Sequence, residues 1–136
     1  MRFLDTNVLL YSISDDPQDG LKRDIAVALV EQQSNALSVQ VLQEFYVQAT
    51  RATRPNPLPH NVAVGFLRTW HQRFAVQDIT VSIVDGALDL KAAHRLPYWD
   101  AAIVAAARAL GCTELYSEDM QHGREMAGLK IINPFR

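Results

Sequence analysis

Residues Ala101–Gly111 read Ala-Ala-Ile-Val-Ala-Ala-Ala-Arg-Ala-Leu-Gly. A helix of this composition is apolar nearly all round and carries little side-chain bulk, so it is stable only when buried and can approach a sheet closely. The closing glycine is the residue type that ends a helix in the left-handed conformation. A chain holding such a segment must build layers around it. Short apolar stretches that read as strands occur at Phe3-Leu4, Ala36–Ser38, Val76–Thr80, Glu114–Tyr116 and Gly128–Ile132. Segments of helical period alternate with them. Leu21–Gln33 carries Ile25, Ala28 and Leu29 on one face, and Gln40–Ala52 places Leu42, Phe45, Tyr46 and Ala49 at i, i+3, i+4 and i+7. Asn61–Phe74 does the same with Ala63, Phe66, Leu67 and Trp70. The prolines of Arg54–Pro59 forbid helix between the last two segments, which predicts a helical hairpin. Ser82-Ile83-Val84-Asp85 fits a capping box opening a helix to Arg95, which assigns Asp85 to capping. Asp100 stands in N-cap position for the small-residue helix. The alternation predicts a three-layer α/β/α sandwich with a mainly parallel sheet. No linker, repeat or low-complexity tract divides the chain, so residues 1–136 are expected to form one domain.

The bulk numbers narrow the function classes. A content of 49% hydrophobic and 21% charged residues is that of a globular domain able to bury a core. A net charge of -2 argues against non-specific coating of DNA but permits a local basic patch beside an acidic site. Cys112 is the only cysteine, so no internal disulfide forms and a reducing compartment is expected. Asp5 interrupts the apolar start, which does not read as a secretory signal, and no apolar run approaches the length of a membrane span. A cytoplasmic protein without membrane contact is the expectation. The acids of Ser14–Gly20 do not make a calcium loop, because Pro17 stands at a ligand position and the twelfth position is Ala26.

Four carboxylates come from four distant parts of the chain. Asp5 ends the first strand, Glu44 lies early in the helix after the second, Asp100 opens the small-residue helix, and Asp119 follows a late strand. In a parallel sheet, strand ends and the starts of the following helices share one edge, where ligands bind. Converging carboxylates repel and raise one another's pKa values. One or two divalent cations remove that repulsion, and hard oxygen ligands suit Mg²⁺ or Mn²⁺. Such ions can serve phosphodiester hydrolysis by activating water and stabilising the leaving oxygen. Other chemistries fit less well. There is no glycine-rich phosphate loop, no nucleophile-elbow serine, and no metal-ligand spacing among His60, His71, His94 and His122. An aspartyl-phosphate phosphatase usually carries a second Asp two positions after the first, where this chain has Asn7. Glu118 either shares in metal binding or faces solvent, and the second is favoured. Arg51, Arg54, Arg68 and Arg73 on the hairpin, with Arg124, are candidates for phosphate contacts.

Four segments then carry a resemblance: Phe3-Leu4-Asp5-Thr6-Asn7, Ser38–Phe45 with Glu44, Trp99-Asp100-Ala101-Ala102-Ile103, and Leu115–Gly123 with Ser117 and Asp119. In this order and spacing the chain resembles the PIN-domain family, and within it the VapC-type toxins of toxin–antitoxin pairs. The resemblance implies a PIN-like fold and an endoribonuclease that uses Mg²⁺ or Mn²⁺. It implies Asp5, Glu44, Asp100 and Asp119 as catalytic metal ligands, with Thr6, Asn7 and Ser117 as polar support. It also implies an RNA substrate, a cognate antitoxin protein and a homodimer, for which Tyr98, Trp99 or the hairpin can supply apolar contact. A housekeeping PIN nuclease without antitoxin and a non-catalytic RNA-binding or interaction module are the alternatives.

Overall fold

The computed structural model describes residues 1–136. Six strands form one sheet: β1 (Arg2–Leu4), β2 (Asn35–Ser38), β3 (Ala75–Gln77), β4 (Glu114–Tyr116), β5 (Glu125–Met126) and β6 (Leu129–Ile132). Their order is β3-β2-β1-β4-β6-β5, with every pair parallel except β5 and β6. Six helices surround them: α1 (Thr6–Ser12), α2 (Gly20–Val30), α3 (Val39–Thr50), α4 (His60–Arg73), α5 (Val81–His94) and α6 (Tyr98–Ala109). Neighbours within a strand point to opposite faces. Phe3 and Leu4 are both fully buried, as are Ala36 and Leu37, so helices cover both faces of the sheet. One layer is α5 with α6; α1, α2, α3 and α4 pack on one another in the other.

The small-residue helix is central, as its composition predicts. All seven residues from Ala101 to Ala107 are buried, and Gly111 closes the turn after α6 at φ +73°. The hairpin forms as well, with Phe45 on α3 meeting Trp70 on α4 edge-on at 4.7 Å between ring centroids. No helix is long and apolar enough to cross a membrane.

Three local expectations are corrected. The helix placed at Ser82 starts two residues earlier, with Thr80 as its cap: Thr80 Oγ1 accepts from the Ile83 amide at 3.2 Å. Ser82 and Asp85 are exposed, so Asp85 has no capping role. Asp100 is not an N-cap either. The α6 helix begins at Tyr98 behind Pro97, which leaves Asp100 in the first turn with its carboxylate free of capping. Finally, β5 is too short to leave a strand pattern in the sequence. The two-residue Ala127-Gly128 connection, with φ of +50° and +85°, turns the chain from β5 into β6. Both residues take the left-handed conformation that such tight hairpins need, and Ala at the first position hides the usual Asn-Gly or Asp-Gly signal.

The corrected cap gives a direct test. Thr80→Ala should lower stability by about 1 kcal/mol through the lost side-chain acceptor. Ser82→Ala should fall within about 0.5 kcal/mol of the wild type. Urea unfolding of the two variants checks this, and the reverse ranking would restore the cap to Ser82.

Candidate active site

The strand order reverses direction beside β1: the chain first lays down β2 and β3 on one side, then β4 and β6 on the other. Open α/β sheets bind ligands in the crevice outside such a switch point. Leu4 stands opposite Tyr116 across the β1–β4 pair, so Asp5 and Ser117 emerge side by side. Ser117 Oγ donates to Asp5 Oδ2 at 2.7 Å, and the Thr6 amide donates to Asp5 Oδ1 at 2.7 Å, making Asp5 the cap of α1. Thr6 Oγ1 reaches across to α3 and donates to Glu44 Oε2 at 2.8 Å, while Gln40 Nε2 donates to Glu44 Oε1 at 2.7 Å one turn away. Asn7 Nδ2 donates to Asp119 Oδ2 at 3.1 Å, and Asn7 Oδ1 accepts from the Glu118 amide at 3.2 Å. Thus Thr6, Asn7 and Ser117 each hold one of the acids in place.

Asp5, Glu44, Asp100 and Asp119 line one cleft of about 150 Å³, together with Thr6, Asn7, Leu10, Gln40, Gln48, Trp99 and Ile103. No basic side chain is among them. A larger concavity of about 430 Å³ lies elsewhere, between α2 and α4, but it is apolar and contains none of the four acids. Burial pushes the Asp5 carboxyl up to about 6, against the lowering effect of its Ser117 and Thr6 hydrogen bonds, with Glu44 and Asp119 adding repulsion. Asp100 is also raised, first by burial and then by Asp119 and Glu44. The lining offers carboxylate, amide and hydroxyl oxygens and neither Cys nor His, a donor set that fits a hard divalent cation. Asp5, Glu44 and Asp119 stand apart on their separate hydrogen bonds, and no three of the acids close into a ready-made cage.

Glu118 is a correction in both its expected roles. Its carboxylate accepts from Tyr11 Oη at 2.7 Å and from Lys22 Nζ at 2.7 Å. Burial acts to raise its pKa, yet those two donors hold it below the usual carboxylate range. It therefore anchors the loop carrying Asp119 to α1 and α2. Neither Tyr11 nor Lys22 could be found from the sequence, since 107 residues separate Tyr11 from Glu118. Gln40 had a visible signal, sharing a helical face with Glu44. Of the five arginines named as candidates for phosphate contact, only Arg54 lines a neighbouring cleft of about 320 Å³ that shares Asn7, Leu10, Gln48 and Asp119 with the acid cleft. Arg73 donates to the Glu31 carbonyl and lies over the Phe74 ring, and Arg124 donates to the His94 carbonyl at 2.7 Å. These two are tied to backbone and ring rather than aimed at the cleft. Arg51 and Arg68 are exposed and outside it.

The sequence matches the PIN domain family over residues 2–124, and the chain belongs to that family. No curated protein matches it in sequence. Several solved structures share its fold. A toxin–antitoxin complex from Klebsiella pneumoniae aligns with TM-score 0.69 at 19% identity, over 99% of this chain and 98% of that one. VapC20 of Mycobacterium tuberculosis, described as a sarcin–ricin loop cleaving toxin, aligns with TM-score 0.66 at 18% identity, over 88% and 90%. VapBC-1 from nontypeable Haemophilus influenzae gives TM-score 0.66 at 14% identity, over 99% and 98%. At such identities the likeness is one of fold.

Asp5 links the site to stability. Its pKa is about 6 in the folded protein against an ordinary 3.8, so between those values the folded state binds more protons than the unfolded one. Stability contributed by this group is therefore greatest below about pH 4, falls as pH rises towards 6, and is level above that. At about 1.4 kcal/mol per pKa unit the decline is on the order of 2–3 kcal/mol. Asp5→Asn stays neutral, so in chelator the variant should be the more stable at pH 7.5 and lose that advantage by pH 4. Denaturant midpoints across this range check it; parallel profiles would show that the buried charge carries no such cost.

Proposed function

We propose that this chain, acting as one domain over residues 1–136, is a metal-dependent endoribonuclease and the toxin of a toxin–antitoxin pair. The observation that carries the reading is the meeting of Asp5, Glu44, Asp100 and Asp119, from four separate elements, in one cleft without a basic residue. These four acids would hold Mg²⁺ or Mn²⁺, which would supply the Lewis acidity needed to activate water and balance charge on the departing oxygen. The chain's own residues prepare that site. Ser117 and the Thr6 amide orient Asp5, Thr6 and Gln40 orient Glu44, and Asn7 orients Asp119. The loop bearing Asp119 is fixed from behind by Lys22 and Tyr11 through Glu118. Arg54 stands in the adjoining cleft, where it can meet a phosphate of the bound strand without pairing with the acids of the site. The proposal of an antitoxin partner is supported by the kind of complex in which fold neighbours were solved. The apolar groove between α2 and α4 fits an amphipathic segment of such a protein.

The test is cleavage of RNA by purified protein with Mn²⁺. Hydrolysis by water expels the 3′ oxygen, so products should carry 5′-phosphate and 3′-hydroxyl ends; 2′,3′-cyclic phosphates would sink this mechanism. Asp100→Asn should slow cleavage by roughly 100-fold or more, since several kcal/mol of charge stabilisation depend on the acid set. Wild-type protein that cuts no RNA with either metal would remove the nuclease reading. Arg54→Ala should weaken RNA binding while leaving the rate on bound RNA unchanged. Its log–log salt slope should shrink by about 0.7, the value of one single-strand phosphate contact. An unchanged slope would place Arg54 off the RNA.

A further inference from the structure

We propose that Trp99 is the stacking platform for an unpaired RNA base beside the bond to be cut. This rests on the nuclease reading and goes on to say how that site holds its substrate.

The chain has two tryptophans with opposite fates. Trp70 is 4% exposed in the core, whereas Trp99 is 67% exposed. Trp99 nonetheless lines the cleft that holds the four acids. It is presented on the first turn of α6, directly before Asp100 and the buried run that begins at Ala101. Tyr98 backs it edge-on, with centroids 5.0 Å apart at 81°. Its carbonyl accepts from Gln40 Nε2 at 3.2 Å, and the same amide nitrogen holds Glu44 at 2.7 Å. The backbone that carries the indole is therefore tied to the framework of the acids, while the indole itself stays largely open to solvent.

Electrostatics explains why an aromatic is needed there. RNA is a polyanion, and the acid cleft has no Lys or Arg to draw it in. A cation among these carboxylates would pair with them and compete for the metal positions. Beyond what a bound metal would supply, attraction has to come from an uncharged contact close by and from a cation further off, and Arg54 in the adjoining cleft is the second. The face of a nucleobase carries no net charge and stacks on an indole whatever the sequence. A base inside a duplex has that face covered by its neighbours, so the platform admits an unpaired one.

The experiment uses the full chain carrying Asp100→Asn to stop turnover, with a synthetic single-stranded RNA of mixed sequence and the same RNA annealed to its complement. Single-stranded RNA should quench the exposed Trp99 emission while buried Trp70 stays as an internal reference, and the duplex should not. Adding Trp99→Ala should weaken single-strand binding by about 5- to 150-fold, with Trp99→Phe keeping most of it. In the otherwise wild-type protein, Trp99→Ala should raise KM by more than it lowers the single-turnover rate at saturating RNA, and Trp99→Phe should restore most of the KM, a split that general loss of structure does not give. Three outcomes overturn the proposal. One is wild-type protein that cuts RNA with the same KM as Trp99→Ala. Another is equal quenching by the duplex. The third is light scattering that shows Trp99→Ala breaking up an assembly of the wild type, which makes the indole a contact between copies. If the wild type neither binds nor cuts RNA, the nuclease reading falls and takes this inference with it.

Discussion

The site depends on one pairing, that of β1 with β4. These strands are only three residues each, yet their register decides which side chains meet at the sheet edge. Because Leu4 faces Tyr116, the next residue on each strand is Asp5 or Ser117, and a 2.7 Å hydrogen bond joins them. A slip of one residue would turn every side chain of β1 to the opposite face and carry Asp5 away from its neighbours. That pairing is guarded by the core on both sides. Phe3, Leu4 and Leu115 have no exposed surface, so a shifted register would put apolar side chains against the wrong layer. The chemistry of the edge is thus specified by the packing beneath it.

Around that edge, hydrogen bonds do the work that charge alone would undo. Burial and like charge both oppose ionisation of Asp5, and each of the neighbouring polar groups works the other way. The donors come from different elements: Thr6 from α1 to α3, Asn7 from α1 to the loop after β4, Ser117 from that loop to Asp5. Each tie therefore fastens two elements together as well as aiming a carboxylate. The Lys22–Glu118–Tyr11 cluster adds a tie behind the loop, and Tyr11 is itself braced by the Phe135 ring at 4.9 Å.

Much of the layer order and the acid set was legible because it rests on local signals. The run Ala101–Ala107 announces a buried helix by composition, and four acids sit at the ends of strands or the starts of helices. What escaped depends on geometry that no local pattern carries. Thr80 and Ser82 are both capable caps, and which one is used follows from where β3 ends, at Gln77 rather than Thr80. The β5–β6 hairpin is two residues of strand on one side and turns through an alanine at φ +50°. Glu118 looks like a solvated neighbour of Asp119 until α2 brings Lys22 to it. Asp100 illustrates the opposite case. Its position near a helix start reads as capping, yet freedom from capping is what leaves its carboxylate available.

A cleft walled by carboxylates and free of basic side chains has an evolutionary side. On the proposed reading grip and turnover fall to different residues: the acids and their donors line one cleft, Trp99 stands at its edge and Arg54 lines the next. The interior tolerates little, since each donor there also joins two elements of the fold. The Trp99 and Arg54 side chains make no hydrogen bond that joins elements and bear no such duty. A lineage built on this plan can therefore change what it binds by exchanging the residues at the edge, leaving the acid cleft untouched.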